Sequence, residues 1–280
     1  MPDPYVSDDS GYRDRYVALL DILGFSDLTE KADGHPNWRA WLRDCISALN
    51  TTLPSHIEIN GFRFAQFSDT IVMSAYRSPN GLLSIISGCT MLTTNMLNRG
   101  ILLRGGIAAG NFHHDERMMF GPALIRAYSH DTRGAPPHIA IDVGVLEDMK
   151  PSLLNSSFLQ WVSYDPWDLS PMLHTLLRFG TYDGVPVVGG EVMDREAFQL
   201  ARNIQTQASD MSHAPAVRAK WRWQQDYWNR TVADKGILQL ARPESDWDAR
   251  WATVLQAEQQ RLVSYNAAMS SSPGVQSDTQ

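Results

Sequence analysis

The feature that most constrains the fold is a pair of short apolar runs, each marked by one aspartate. Tyr16 to Ile22 (YVALLDI) is apolar on consecutive residues and carries its only charge, Asp21, at its end, just before Gly24. A run of this length without a polar face reads as a strand covered on both sides. Further on, Phe62 and Phe64 alternate with Arg63 and Ala65 up to Phe67, and after Ser68 and Asp69 a second apolar run spans Thr70 to Tyr76 (TIVMSAY). Two such runs around a two-residue break predict a β-hairpin with Asp69 at its tip.

The elements between and after these runs set the topology. From Trp38 to Leu53, apolar residues at 38, 41, 42, 45, 46, 49 and 53 form one helical stripe. A second amphipathic helix opens at Asn80-Gly81 and stops at Arg99-Gly100. A strand is expected from Ile101 to Ala109, then a polar turn at His113 to Glu116 and a return strand around Met118 to Phe120. Gly121-Pro122 starts a helix to about Asp131, and His138 to Val143 is strand again. The order β-α-β-β-α-β, with an α-β extension, is the ferredoxin-like plan of an α+β domain. In that plan the first and third strands lie antiparallel at the centre, so the end of the first meets the start of the third. Asp21 and Asp69 should therefore converge at one sheet edge.

Beyond Val143, short strands are expected within Phe158 to Tyr164 and Thr181 to Val192. Amphipathic helices follow at Phe198 to Ala208, Ala216 to Ala233 and Asp246 to Tyr265. The resulting division is a disordered N-terminus (1–14), a catalytic domain (15–195), a helical extension (196–265) and a disordered tail (266–280).

Two converging carboxylates repel each other unless a divalent cation sits between them. Magnesium and manganese take such oxygen ligands, completing their shells with substrate phosphates, which points to phosphoryl or nucleotidyl transfer. The glycine turn after Asp21 leads into a helix whose amides can cradle phosphate. A net charge of -7 excludes a broad basic surface for direct nucleic-acid binding. Cys45 and Cys89, without a CxxC pair, suit a reducing cytoplasm, and no secretory signal or membrane span is expected.

LDILGFSDL (Leu20 to Leu28) resembles the first metal motif of class III nucleotidyl cyclases, an Asp-Ile-x-Gly-Phe-Ser/Thr pattern. FSDTIVMSAY (Phe67 to Tyr76) is similar to their second, and LRGGIAAG (Leu103 to Gly110) and FGPALIRAY (Phe120 to Tyr128) to their third and fourth. The wording RGGI and GPAL, the aromatic segment WRWQQDYWN (Trp221 to Asn229) and the DGxP segment at Asp183 to Pro186 are closer still to the Pycsar pyrimidine cyclases of bacterial antiphage defence. The motif-bearing core covers about residues 16 to 143.

The resemblance implies a cytoplasmic, head-to-tail homodimer with composite active sites that bind a nucleoside triphosphate across the interface. The 3'-hydroxyl attacks the α-phosphate and pyrophosphate leaves. Asp21, Asp69 and the Ile22 carbonyl would hold two divalent cations, Mn2+ or Mg2+, and the amides of Leu23, Gly24, Phe25 and Ser26 would hold phosphates. The cyclic product would switch on a separate effector. Purine cyclases of the family carry a base-reading Lys where this chain has Ala65, and an Asn and a transition-state Arg where it has Ile125 and Ser129. An apolar side chain cannot orient a ribose, and serine cannot neutralise phosphate as a guanidinium does. Those departures favour a pyrimidine cyclase, making cyclic UMP or cyclic CMP, over a purine cyclase, with a catalytically silent nucleotide-sensing module as the alternative. Arg104 and Arg126 are the candidate replacement cations. Phe67 and Tyr128 are the candidates for stacking on the base.

Three other features have plainer readings. His113-His114-Asp115-Glu116 reads as a polar hairpin tip rather than a zinc site. Gly189-Gly190-Glu191-Val192 only faintly matches the signature loop of diguanylate cyclases. Trp221, Gln225, Trp228 and Val232 fall on one helical stripe, which favours packing over a nucleic-acid stacking platform.

Overall fold

The computed structural model describes residues 12–52, 60–130, 136–149, 156–165, 170–179, 181–182, 185–186 and 191–232. The first aspartate-bearing run is the central strand β1 (Tyr12–Ile22), buried continuously from Arg15 to Leu20. After α1 (Phe25–Gly34) and α2 (Pro36–Thr52) comes the hairpin β2 (Arg63–Phe67) and β3 (Thr70–Tyr76), then α3 (Pro79–Asn98) and β4 (Leu103–His114). A short β5 (Met119–Phe120), α4 (Pro122–Ser129), β6 (Ile139–Ile141) and α5 (Val143–Asp148) follow. The strand order β2-β3-β1-β4, with each neighbour antiparallel, is the ferredoxin-like core expected from the sequence. It continues through β6, parallel to β4 across the α4 crossover, to β8 (Pro171–Leu173) and β7 (Val162–Tyr164). A two-residue hairpin, β9 (Thr181–Tyr182) with β10 (Val185–Pro186), precedes α6 (Glu191–Ser209) and α7 (Pro215–Val232).

The period-two alternation of β1 divides its side chains between two layers. Tyr16, Ala18, Leu20 and Ile22 join α2 and α3 in the main core, where Cys45 and Cys89 are also buried. Val17 and Leu19 face the other way, against Ala123 and Ala127 of the short α4. Close approach of α4 needs Gly106, where a Cβ would lie 2.7 Å from His130 and 2.8 Å from the Ala127 carbonyl.

Three expectations need correction. Residues 12–14, placed outside the domain by sequence, begin β1 and pair with Asn111, Phe112 and His113. β4 accordingly runs five residues past Ala109, so His113 and His114 lie in a strand and not in a turn. Their polarity is satisfied there: His113 bonds Asp115 at 2.8 Å, while His114 Nδ1 meets Ser74 Oγ at 2.8 Å. The turn itself is closed by Asp115, whose carboxylate accepts from the amides of Arg117 and Met118. The helix expected from Asn80 starts one residue earlier, at Pro79, and is capped by Ser78 accepting from the Gly81 amide at 3.1 Å.

α3 is also buried more broadly than one stripe requires, because α6 covers its second side. Asn203 donates to the Asn98 carbonyl at 2.6 Å, and Leu97 and Leu102 join Leu200, Ile204, Trp223 and Trp228 in a second core. The boundary expected between 195 and 196 falls inside α6. The stripe on α7 is packing: Trp221, Gln225, Trp228 and Val232 are all buried within the chain. Polar bonds reinforce it, with Tyr227 against His174 at 2.7 Å and Arg230 donating to Ser163 at 2.7 Å. The expected helix at 246–265 and the Gly189-Gly190 pair lie outside the described residues.

His114 gives stability a pH dependence. Burial, followed by the Arg15 charge, lowers its pKa to about 4, whereas an unfolded histidine titrates near 6.5. The unfolded chain therefore takes up the proton first as pH falls. The contribution of neutral His114 is complete above about pH 6.5 and is lost progressively down to about 4. Urea midpoints should fall between pH 7 and pH 5 by the equivalent of about 1–2 kcal/mol from this group. His114→Asn should flatten that slope, and a slope unchanged in the variant would exclude His114 as its source.

Candidate active site

The β1 ladder fixes where both aspartates sit. Asp21 pairs with Thr70 on one side and with Arg104 on the other. Phe67 pairs with Thr70 in turn, so Phe67, Thr70, Asp21 and Arg104 form one row across four strands. Asp69 lies in the turn beside this row, where Ser68 takes a left-handed backbone (φ 58°). The Ile22 amide donates to the Asp69 carbonyl at 3.0 Å, tying the hairpin tip to the end of β1. Two aspartates 48 positions apart in sequence are thus brought to one edge, as the topology predicts.

The segment after Asp21 is held by its side chains and offers its backbone. Ile22 is buried in the main core and Phe25 packs against it, while Leu23 packs against the second core. The Leu23 amide donates to the Leu102 carbonyl at 3.0 Å. Gly24 turns the chain at φ 75°, a left-handed conformation that favours glycine, and opens α1 without a side-chain cap. First-turn amides of a helix have no intrahelical acceptor, and the macrodipole adds partial positive charge there. Of the expected phosphate-binding amides, those of Phe25 and Ser26 stand in that first turn, while that of Leu23 is already engaged.

Arg104 is the counter-charge of this edge. Its Nε donates to Asp21 Oδ2 at 3.2 Å, and the two side chains are 21% and 17% exposed. Pairing in a partly dehydrated site offsets the charge of Asp21 and holds Arg104 at this row. The donor set of Asp21, Asp69 and nearby backbone carbonyls is all oxygen, which fits magnesium or manganese and not a nitrogen- and sulfur-seeking metal. Among the described residues, no cluster of three or more His, Cys, Asp or Glu forms a self-sufficient metal cage. A cation here would draw its remaining ligands from substrate, as magnesium sites on nucleotides do.

Phe67 is 82% exposed, which removes the possibility that it is a core residue. Tyr128 on α4 is 54% exposed and its neighbour Ile125 is 71% exposed. Arg126 is exposed, and its guanidinium folds back to donate to the Ala109 carbonyl, over Gly110, where a Cβ would lie 2.4 Å from the guanidinium. Ala109 pairs with Tyr16, five residues before Asp21 along β1. At about 3.3 Å per residue, the Arg126 guanidinium stands roughly 17 Å along the strand from Asp21 of the same chain. One copy therefore brings together Asp21, Asp69, Arg104, Phe67 and the Gly24 turn, and leaves the Arg126 guanidinium apart.

The sequence reading missed Lys220. This α7 residue lines a cleft of about 900 Å³ together with Leu23, Gly24, Lys31, Trp38 and Arg99. Burial lowers its pKa, Arg104 lowers it further and Asp21 partly restores it. Its position on a helix read as packing gave no signal, since only the tertiary docking of α7 aims it at this edge.

No protein-family model and no curated protein matches the chain. Among solved structures, it is similar to a bacterial light-regulated adenylyl cyclase, at 18% identity and a TM-score of 0.34, over 49% of this chain and 44% of that one. It is also similar to the guanylyl cyclase Cya2, at 13% identity and a TM-score of 0.33, over 58% of this chain and 90% of that one. The chain thus spans less than half of the first of these. Among the described residues, no helix is long and apolar enough to cross a membrane.

Proposed function

We propose that this chain is a divalent-metal-dependent nucleotidyl cyclase that converts UTP, or CTP, to the 3',5'-cyclic monophosphate and pyrophosphate. The observation that carries the reading is the convergence of Asp21 and Asp69, pinned by the bond from the Ile22 amide to the Asp69 carbonyl, beside the uncapped start of α1. Acidic groups and phosphate-seeking amides side by side suit a metal-bound triphosphate.

In this reading Asp21, Asp69 and the Ile22 carbonyl hold the divalent ions, which when bound lower the pKa of the 3'-hydroxyl and offset charge on the leaving group. The Phe25 and Ser26 amides orient the phosphates. Arg104, held beside Asp21 by a 3.2 Å bond, would donate to a phosphate oxygen of the bound substrate. The O3'–Pα bond forms as the bond from Pα to the bridging oxygen breaks, the pyrophosphate keeps that electron pair, and the hydroxyl proton passes to solvent. Phe67, exposed in the same row, supplies a stacking face.

Arg126, distant within one chain, and Tyr128, exposed on the same helix, serve a second copy of the site in a head-to-tail homodimer. The pyrimidine preference rests on Ala65, Ile125 and Ser129, where a purine cyclase of this kind has Lys, Asn and Arg. The product is a second messenger that acts on a separate effector in antiphage defence.

The reaction class is tested by phosphate accounting. Purified protein with Mn2+ and UTP should release pyrophosphate one-for-one with UTP consumed, and chelation should stop it. Release of orthophosphate with formation of UDP would replace the cyclase by a phosphohydrolase. Tight triphosphate binding without turnover would favour a silent sensing module.

A further inference from the structure

We infer that Lys220 of α7 is a phosphate-binding residue of this site, so that the helical extension completes the active site. The inference rests on the reading of the Asp21–Asp69 edge as a nucleotide site and adds a residue that neither the motifs nor the resemblance supplies. Its first support is geometric. The cleft lined by Lys220 has Leu23 and Gly24 of the phosphate turn in its wall, and Val217 and Trp221, one helical turn before and one residue after, line it too. Trp221 is only 3% exposed and Trp223 only 1%, so the helix that presents Lys220 is anchored directly after it.

The second support is the charge around it. Lys220 feels both members of the Asp21–Arg104 pair, and burial strips part of its hydration. Two cations thus share one carboxylate that already accepts a bond from Arg104 at 3.2 Å. Partly dehydrated like charges repel, and an incoming polyanion relieves that repulsion. The other cations of the cleft are engaged: Lys31 lies over the Trp38 ring at 5.4 Å, and Arg99 donates to the Asn95 carbonyl at 3.2 Å. Lys220 is the cleft cation whose field is shared with the aspartate edge. An ammonium is a compact point charge suited to the phosphate tail and the departing pyrophosphate, where bidentate geometry is not required. It also answers the absence of a transition-state arginine, whose place on α4 is taken by Ser129.

The test uses pyrophosphate with Mn2+ as the probe, measured by titration calorimetry on the full chain, so that no turnover is needed. Wild type should bind pyrophosphate only with Mn2+, and Asp69→Ala should lose that binding. Lys220→Ala should weaken it by about ten- to a hundredfold, with Lys220→Arg recovering most of the loss. Wild-type affinity in a folded Lys220→Ala, with Asp69→Ala inactive, would overturn the inference and leave the nucleotide-site reading standing. Absence of Mn2+-dependent binding in wild type would overturn both. Should the alanine variant fail to fold, lysine acylation of wild type decides: the rate at Lys220, read by peptide mass spectrometry, should drop at least about fivefold on adding Mn2+ and pyrophosphate. An unchanged rate would overturn the inference.

Discussion

Asp69→Ala should abolish metal-dependent turnover, by about a thousandfold or more, while leaving the fold intact. The side chain sits in the hairpin turn, half-buried and outside all three apolar clusters. What ties the turn to β1 is the Asp69 carbonyl, which the substitution keeps. Stability should therefore change by no more than about 0.5 kcal/mol, as for a surface site. Pyrophosphate release and thermal melting, measured on the same preparation, check both halves. Asp21→Ala should be as inactive but harder to interpret, because it also leaves the half-buried Arg104 without its 3.2 Å carboxylate partner. Near-normal turnover in a well-folded Asp69→Ala would remove the metal from the account.

The largest effect on stability is expected at Trp228. Its side chain is fully buried, with its ring 5.5 Å from that of Phe179, in the core that joins α7 to α6 and to the end of α3. Truncation to alanine removes the indole and leaves a cavity that close-packed neighbours cannot fill, at a cost of about 3–5 kcal/mol. For a domain of this size that corresponds to a fall of roughly 10 °C in Tm. Arg222→Ala, on the exposed side of the same helix, should stay within about 0.5 kcal/mol. Melting curves of the two variants distinguish a helix integral to the fold from a loosely attached appendage, and equal melting temperatures would establish the latter. Loosening α7 also displaces Lys220, so Trp228→Ala should weaken Mn2+-dependent pyrophosphate binding well below its own melting temperature.

Much of this arrangement was legible in the sequence, for identifiable reasons. Tyr16 to Leu20 and Ile71 to Met73 are apolar on consecutive residues because their strands are covered on both faces, and the topology then leaves only one edge where Asp21 and Asp69 can lie. The reach of β4 was not legible, since His113 and His114 look like turn residues until Asp115 and Ser74 are known to be their partners. The core or exposed status of Phe67 was equally hidden, because an aromatic residue at the end of an alternating strand fits either face. In the sequence Arg104 stands out only as a cation near the motif, whereas its pairing with Asp21 follows from register, which a single sequence does not state. Lys220 was invisible for the strongest reason. It is brought to Asp21 by the burial of Trp221, Trp223 and Trp228 far along the chain, and no local pattern encodes that docking.

The Asp21–Arg104 pair gives the edge a resting state. The carboxylate is bonded to its own strand neighbour, and in the proposed reaction metal and triphosphate would have to displace that bond together. Coupled arrival of cation and phosphate suits a site whose protein ligands alone make no complete cage.

The most direct measurement is the identity of the product. Purified protein is incubated with Mn2+ and equimolar UTP, CTP, ATP and GTP, and the nucleotides are resolved by mass spectrometry. The account predicts a 3',5'-cyclic pyrimidine monophosphate, absent in Asp69→Ala, with ATP and GTP unconsumed. Cyclic AMP or cyclic GMP as the main product, or a cyclic pyrimidine formed equally well by Asp69→Ala, would contradict it.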